Sequence, residues 1–179
     1  MGTDPNAGPG AEPETDGDAP GGTDAGEQTL TETADATGGT LTDTYVAALQ
    51  HDLVDIEPGT TLVGVVRQPT SWFHAAVDEN RSALGPPSTL LEDAKAAAED
   101  LKMAGMCDEG AHNASWEQVD FEDGYREHLE TDSEAEEALA DLEGRLQDGE
   151  SIALVCFENT GKKRCHRTVL RAVLEARRA

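Results

Sequence analysis

The chain has 179 residues, 37 acidic against 13 basic, for a formal net charge of -24. So negative a field opposes the broad cationic surface that non-specific nucleic-acid binding draws on. No apolar run is long enough to cross a bilayer, and three cysteines, an odd number in a chain without a secretory signal pattern, speak against a disulfide framework.

The first forty residues hold nine acidic side chains, no Lys or Arg and no aromatic residue. Such a segment buries too little apolar surface to offset the entropy of ordering it. Residues 1–40 are therefore expected to form a disordered acidic tail, and residues 41–179 a single domain. Next, Tyr45, Val46, Leu49 and Leu53 recur at helical spacing and predict a helix over 43–53, capped by Thr42 or Asp43. Pro58-Gly59 marks a turn. TLVGVV, Thr61 to Val66, is short, apolar and rich in β-branched residues, a predicted buried strand. It runs into the loop RQPTSWFH, which carries Arg67, Pro69, Trp72 and His74.

Gly85-Pro86-Pro87 breaks the chain before a helix predicted over 89–104. There Thr89 and Glu92 have capping-box spacing, and Leu90, Leu91, Ala94, Ala98 and Leu101 form the apolar face. MAGMCDEGAHNASWEQVDF shows no clear period and is expected to be irregular, with a short strand near Trp116. FEDGYREHL reads as a short helix. DSEAEEALADLEGRLQDG reads as a longer one, opened by Ser133 and Glu136 and stopped at Gly149. SIALVCF, Ser151 to Phe157, is a second buried strand. The last helix runs from Cys165 to Arg178, with Val169, Leu170, Val173 and Leu174 facing inward. Strand, loop and helix, repeated, predict an α/β fold with a mostly parallel sheet flanked by helices.

In such sheets ligands bind beyond the carboxyl ends of the strands. The first strand ends at Arg67, Trp72 and His74. The second ends at Cys156 and Glu158 and leads through a basic loop to Cys165, His166 and Arg167. From Ser151 onward seven basic residues face two acidic ones, the reverse of the chain's overall balance. A positive island of this size suits a small anion, and no membrane partner is expected. Cys165, near a helix start and beside Lys162, Lys163, Arg164 and Arg167, has the surroundings that favour thiolate. It is the candidate nucleophile, with Glu158 as proton acceptor and Cys156 on the same strand face. Arg67, Arg167 and His166 are the candidate anion-binding residues. Each also has a plainer reading: a small buried Cys165, an inert Cys156, a salt-bridging Glu158, a packing His166. Trp72 follows a strand end and fits the wall of a pocket.

No cofactor is required by this pattern. The competing expectation is a structural zinc on Cys107, His112, Cys156 and Cys165, with His166 as a further candidate, although the spacing matches no standard zinc template. A nucleic-acid role for the basic last helix is the third reading, opposed by the net charge.

Cys156-Phe157-Glu158 and Cys165-His166-Arg167 together resemble the signature of the "domain of unknown function 488" family: an apolar strand ending in Cys-x-Glu, then Cys-His-Arg opening a helix. Val66, Arg67 and Pro69 resemble its earlier strand end, and the segment around Phe121 and Tyr125 its middle helix. The resemblance spans roughly residues 60–175 and implies an α/β fold with a site at these motifs, without naming a reaction. Only four lysines among so many acidic residues point to a high-salt cytoplasm, where salt screens self-repulsion. The resemblance correspondingly implies a haloarchaeal-type member. An acidic protein made for a basic partner is the other reading of that composition.

Overall fold

The computed structural model describes residues 38–179. The expected tail lies outside the described residues, apart from its last three. Those three already belong to the folded part. The N–H of Gly39 donates to the Leu146 carbonyl at 2.6 Å, and the Thr40 carbonyl accepts from Ile152 at 2.8 Å. A Cβ on Gly39 would lie 1.8 Å from the Glu150 carbonyl oxygen, so this approach admits only glycine.

Four strands form one sheet: β1 (Leu41–Tyr45), β2 (Thr61–Gly64), β3 (Glu79–Asn80) and β4 (Ile152–Cys156). Their order is β1-β4-β2-β3, and every pair is parallel. The predicted parallel α/β architecture is therefore present. β4 sits between β1 and β2, and all five of its residues are buried. That is why IALVC is apolar without alternation: helices and loops cover both faces of a parallel sheet.

Seven helices complete the described residues: α1 (Val46–Gln50), α2 (Ser71–His74), α3 (Ser88–Met103), α4 (Asp108–Gln118), α5 (Phe121–Thr131), α6 (Ser133–Gln147) and α7 (His166–Arg178). α7 packs on β1 and β4 and against α5 and α6, while α3 and α4 pack on each other. The core includes Val63, Phe73, Tyr125, Leu139, Leu154 and Leu170.

The structure corrects several local expectations. The helix predicted over 43–53 begins as β1, because Thr42, Thr44 and Tyr45 suit a strand and their backbone pairs with β4; only Val46–Gln50 turns helical. The stretch read as irregular, with a strand near Trp116, is the helix α4. It packs through a small-residue face of Ala111 and Ser115 beside Trp116, too weakly apolar to show a period. Its N-cap is Cys107, whose sulfur accepts from the Gly110 N–H at 3.4 Å. The two proposed capping boxes are not used. Pro87 precedes α3 without a side-chain cap, and Asp132, not Ser133, caps α6 by accepting from Ala135 at 2.9 Å. Gly149, at φ 94, ends the α6 segment as expected.

The two-residue β3 escaped sequence reading, and it positions the end of β2. Asn80 receives the Val66 N–H at 3.2 Å and donates to the Val66 carbonyl at 3.0 Å. The side chain thus continues the ladder past Gly64 and holds the turn from which Arg67 projects.

Candidate functional site

β2 and β4 are parallel neighbours, so the segments that follow them emerge at the same edge. A cavity of about 500 Å³ opens there, lined by Arg67, Cys156, Glu158, Cys165 and His166 among others. The two loops that the sequence singled out do meet.

Cys156 closes β4, and Cys165 is the N-cap of α7 in an extended conformation. Both are 4% exposed. His166 lies between them and the end of β2. Its Nε2 is 2.7 Å from the Val65 carbonyl oxygen. A carbonyl only accepts, so Nε2 carries the proton, and in the neutral ring Nδ1 presents its lone pair to Cys165 Sγ. Nδ1 is 3.9 Å from Cys165 Sγ and 4.0 Å from Cys156 Sγ. The Tyr125 ring meets the imidazole edge-on at 5.4 Å, and its hydroxyl donates to the Leu84 carbonyl at 2.6 Å. Burial, reinforced by the two nearby sulfurs, pushes the Tyr125 hydroxyl pKa well up, so it stays a donor.

The two thiols diverge. A hydrogen bond from Cys165 lowers the Cys156 pKa against the effect of burial, helped by the N–H groups of Phe157 and Glu158 and by Arg167. The same bond raises the Cys165 pKa well above its ordinary value, and burial adds to the rise. The sequence placed the thiolate at Cys165, on the strength of the helix start and the basic loop. In the folded chain the electrostatics favour Cys156 as thiolate and Cys165 as the protonated donor. The Cys165 side chain makes no capping bond at the start of α7, and its sulfur lies in one cluster with Cys156 and His166.

The basic loop is not an open cationic field either. Lys163 pairs with Asp108 at 2.7 Å and Arg164 with Glu117 at 2.9 Å, both on α4. Lys102 and Lys163 together hold the Asp108 carboxyl down at about 2. Asn113, inside the stretch expected to be irregular, is the clasp. Its Nδ2 donates to the Lys162 carbonyl at 2.9 Å, and its Oδ1 accepts from the Arg164 N–H at 2.8 Å.

Of the three proposed anion-binding residues, only Arg67 faces the cavity with donors to spare. Its Nε and Nη2 donate to the carbonyls of Pro86 (3.1 Å) and Gly85 (2.6 Å), while Nη1 has no partner among the described residues. Gly85 permits the close approach of the two segments, because a Cβ there would lie 2.4 Å from the Arg67 backbone nitrogen. Arg167 instead points away into the protein. It donates to Asp43 at 2.7 Å, to the Thr44 carbonyl, to the Glu158 carbonyl at 3.2 Å and to Thr160 at 3.2 Å. At 1% exposure it braces the Cys-x-Glu loop against β1 and offers no anion a face. His166 is likewise occupied by Val65 and the sulfurs.

Glu158 lines the cavity, and its carboxylate has no hydrogen-bonding or ion-pair partner among the described residues. Cys107 is exposed at the start of α4, and His112 Nε2 donates to the Arg164 carbonyl at 2.9 Å. Neither joins the thiols, so the expected four-residue zinc set does not assemble. The group that does is Cys156, Cys165 and His166, whose ligand atoms lie within 4.8 Å of one another. Trp72 is half exposed and does not line the cavity; it stands edge-on at 5.6 Å to Phe157, which does.

A parallel α/β sheet whose carboxyl edge joins two buried thiols to one imidazole defines a protein with a strand-end thiol site. A family model described as the active DUF488-N3 subclade matches residues 45–178, and the chain belongs to that family. The match runs from the last residue of β1 through α7 and so contains both halves of the site. Neither a curated protein nor a solved structure matches the chain. No helix among the described residues is long and apolar enough to cross a membrane.

Proposed function

We propose that this protein is a small thiol enzyme that receives a small anionic compound at the strand edge. The observation carrying it is the cluster itself: Cys156 and Cys165 line the cavity together with the His166 imidazole, their ligand atoms within 4.8 Å of one another. A thiolate is the nucleophilic form of cysteine, and a nearby protonated thiol serves as its proton donor. In this reading Cys156 attacks, Cys165 gives a proton, and His166 Nδ1 accepts one. The free guanidinium nitrogen of Arg67 anchors the anionic group, and Glu158 is the proton acceptor that follows the Cys156 strand end into the cavity. The word "active" in the family description agrees with an enzyme. A nucleic-acid role is disfavoured by the pairing on α7: Arg171 binds Asp43 and Glu175. The acidic, lysine-poor composition supports a high-salt cytoplasm of haloarchaeal type as its setting.

The test is a thiolate absorbance titration of Cys107→Ser protein beside the Cys107→Ser/Cys156→Ser double variant. Serine keeps the α4 cap, so the background stays folded. A first ionisation step that vanishes with Cys156 supports the reading; a first step that survives contradicts it.

One observation favours a second reading. Three converging ligand atoms with a cavity beyond them, and a histidine whose other nitrogen donates to a backbone carbonyl, suit zinc with an open fourth position. Elemental analysis of purified protein separates the two, since near-stoichiometric zinc would leave no free thiolate.

A further inference from the structure

We propose that Cys156 and Cys165 are a working dithiol that reduces a small-molecule disulfide and closes to a Cys156–Cys165 disulfide in doing so. The proposal rests on the thiol-enzyme reading and names its reaction class. Three features of the pair carry it. The sulfurs belong to one cluster with the His166 imidazole, whose ligand atoms lie within 4.8 Å of one another. They come from different elements, the end of a strand and the N-cap of a helix, nine residues apart and joined by the loop that Asn113 clasps. Both line the same cavity yet are 4% exposed, so a small disulfide reaches them while a disulfide embedded in a protein surface does not.

The step balances as follows. The Cys156 thiolate attacks one sulfur of R–S–S–R, forming a mixed disulfide and releasing R–S⁻, which takes a proton from water. Forming the mixed disulfide removes the thiolate charge of Cys156 from beside Cys165. Cys165 passes its proton to His166 Nδ1, 3.9 Å away, and attacks Cys156 Sγ. The second R–S⁻ leaves and takes the proton back from His166. Two electrons pass from the dithiol to the substrate, giving two R–SH and one protein disulfide.

The experiment uses full-length Cys107→Ser protein dialysed against a chelator. The probe is dithiodipropionate, a small dicarboxylate disulfide that Arg67 suits, and products are resolved by site with mass spectrometry. The expected product is a Cys156–Cys165 disulfide with two equivalents of free thiol. The Cys165→Ser and Cys165→Ala variants should each stop at a stable adduct on Cys156, and Cys156→Ser should leave Cys165 unmodified. If the Cys107→Ser protein itself stops at a Cys156 adduct with Cys165 still free, the dithiol proposal is overturned and the thiolate reading survives. If Cys165 takes the first adduct, or neither thiol reacts, both are overturned.

Discussion

His166 joins helix α7 to the end of strand β2: its Nε2 proton goes to the Val65 carbonyl at 2.7 Å. The bond is buried and long-range in sequence, and it leaves Nδ1 to meet Cys165 Sγ, while Cys156 Sγ is 4.0 Å from both ring nitrogens. Replacing His166 by Phe removes the donor and leaves a buried carbonyl unpaired, which costs about 1–3 kcal/mol. His166 also acts to lower the Cys165 pKa, so its loss should move Cys165 alkylation to still higher pH. Denaturant unfolding and site-resolved alkylation read the two effects. An unchanged Cys165 profile would show that Nδ1 does not face that sulfur.

Arg167 is an internal brace. Arg167→Met would leave Asp43 with Arg171 as its remaining partner and strip donors from the carbonyls of Thr44 and Glu158. Removing one member of a buried ion pair costs about 3–5 kcal/mol, a large part of a typical domain's stability. A clear fall in the unfolding midpoint is expected. Full stability combined with weakened binding of a small anion would restore the anion-contact role that the sequence suggested.

At the opposite end of the sheet, Glu150 accepts from Arg145 and from Thr61, and its carboxyl is lowered from 4.5 to about 2. A folded pKa below the unfolded one gives stability that is fully present above the unfolded value and lost as pH falls through the folded value. The stability gap between wild type and Glu150→Gln should therefore be constant above about 4.5 and shrink as pH falls toward about 2. Unfolding measured across that window would show a flat gap if the Arg145 contact were not holding the carboxylate.

Beyond residue 40 the chain still carries 28 acidic residues against 13 basic ones. Their mutual repulsion is screened as salt rises. The unfolding midpoint should climb through a potassium chloride series. A flat or falling series would remove the high-salt setting and favour a basic partner.

The strands and the site edge were legible because burial writes itself plainly into residue type. LVGVV and IALVC are covered on both faces, and the Cys-x-Glu and Cys-His-Arg motifs sit directly beside such runs. What escaped notice depends on long-range pairing. Leu41–Tyr45 becomes a strand only because β4 lies beside it, and Glu79–Asn80 is too short to show any period. α4 hides behind a face of small residues, and with it went Asn113, whose partners are some fifty residues distant. The reading of Arg167 and of the basic loop changed for one reason. Sequence shows which charges are adjacent along the chain, whereas Asp43, Asp108 and Glu117 neutralise the cations from other elements.

The most direct measurement is the pH dependence of iodoacetamide labelling at Cys156 and Cys165, resolved by mass spectrometry on native, metal-free protein. Exposed Cys107 serves as the check on reagent activity. Cys156 should label at lower pH than Cys165, and Cys165→Ser should shift the Cys156 profile upward by weakening the hydrogen bond that lowers it. Labelling of Cys165 at the lower pH, with Cys156 inert, would contradict the assignment of the thiolate to the strand end.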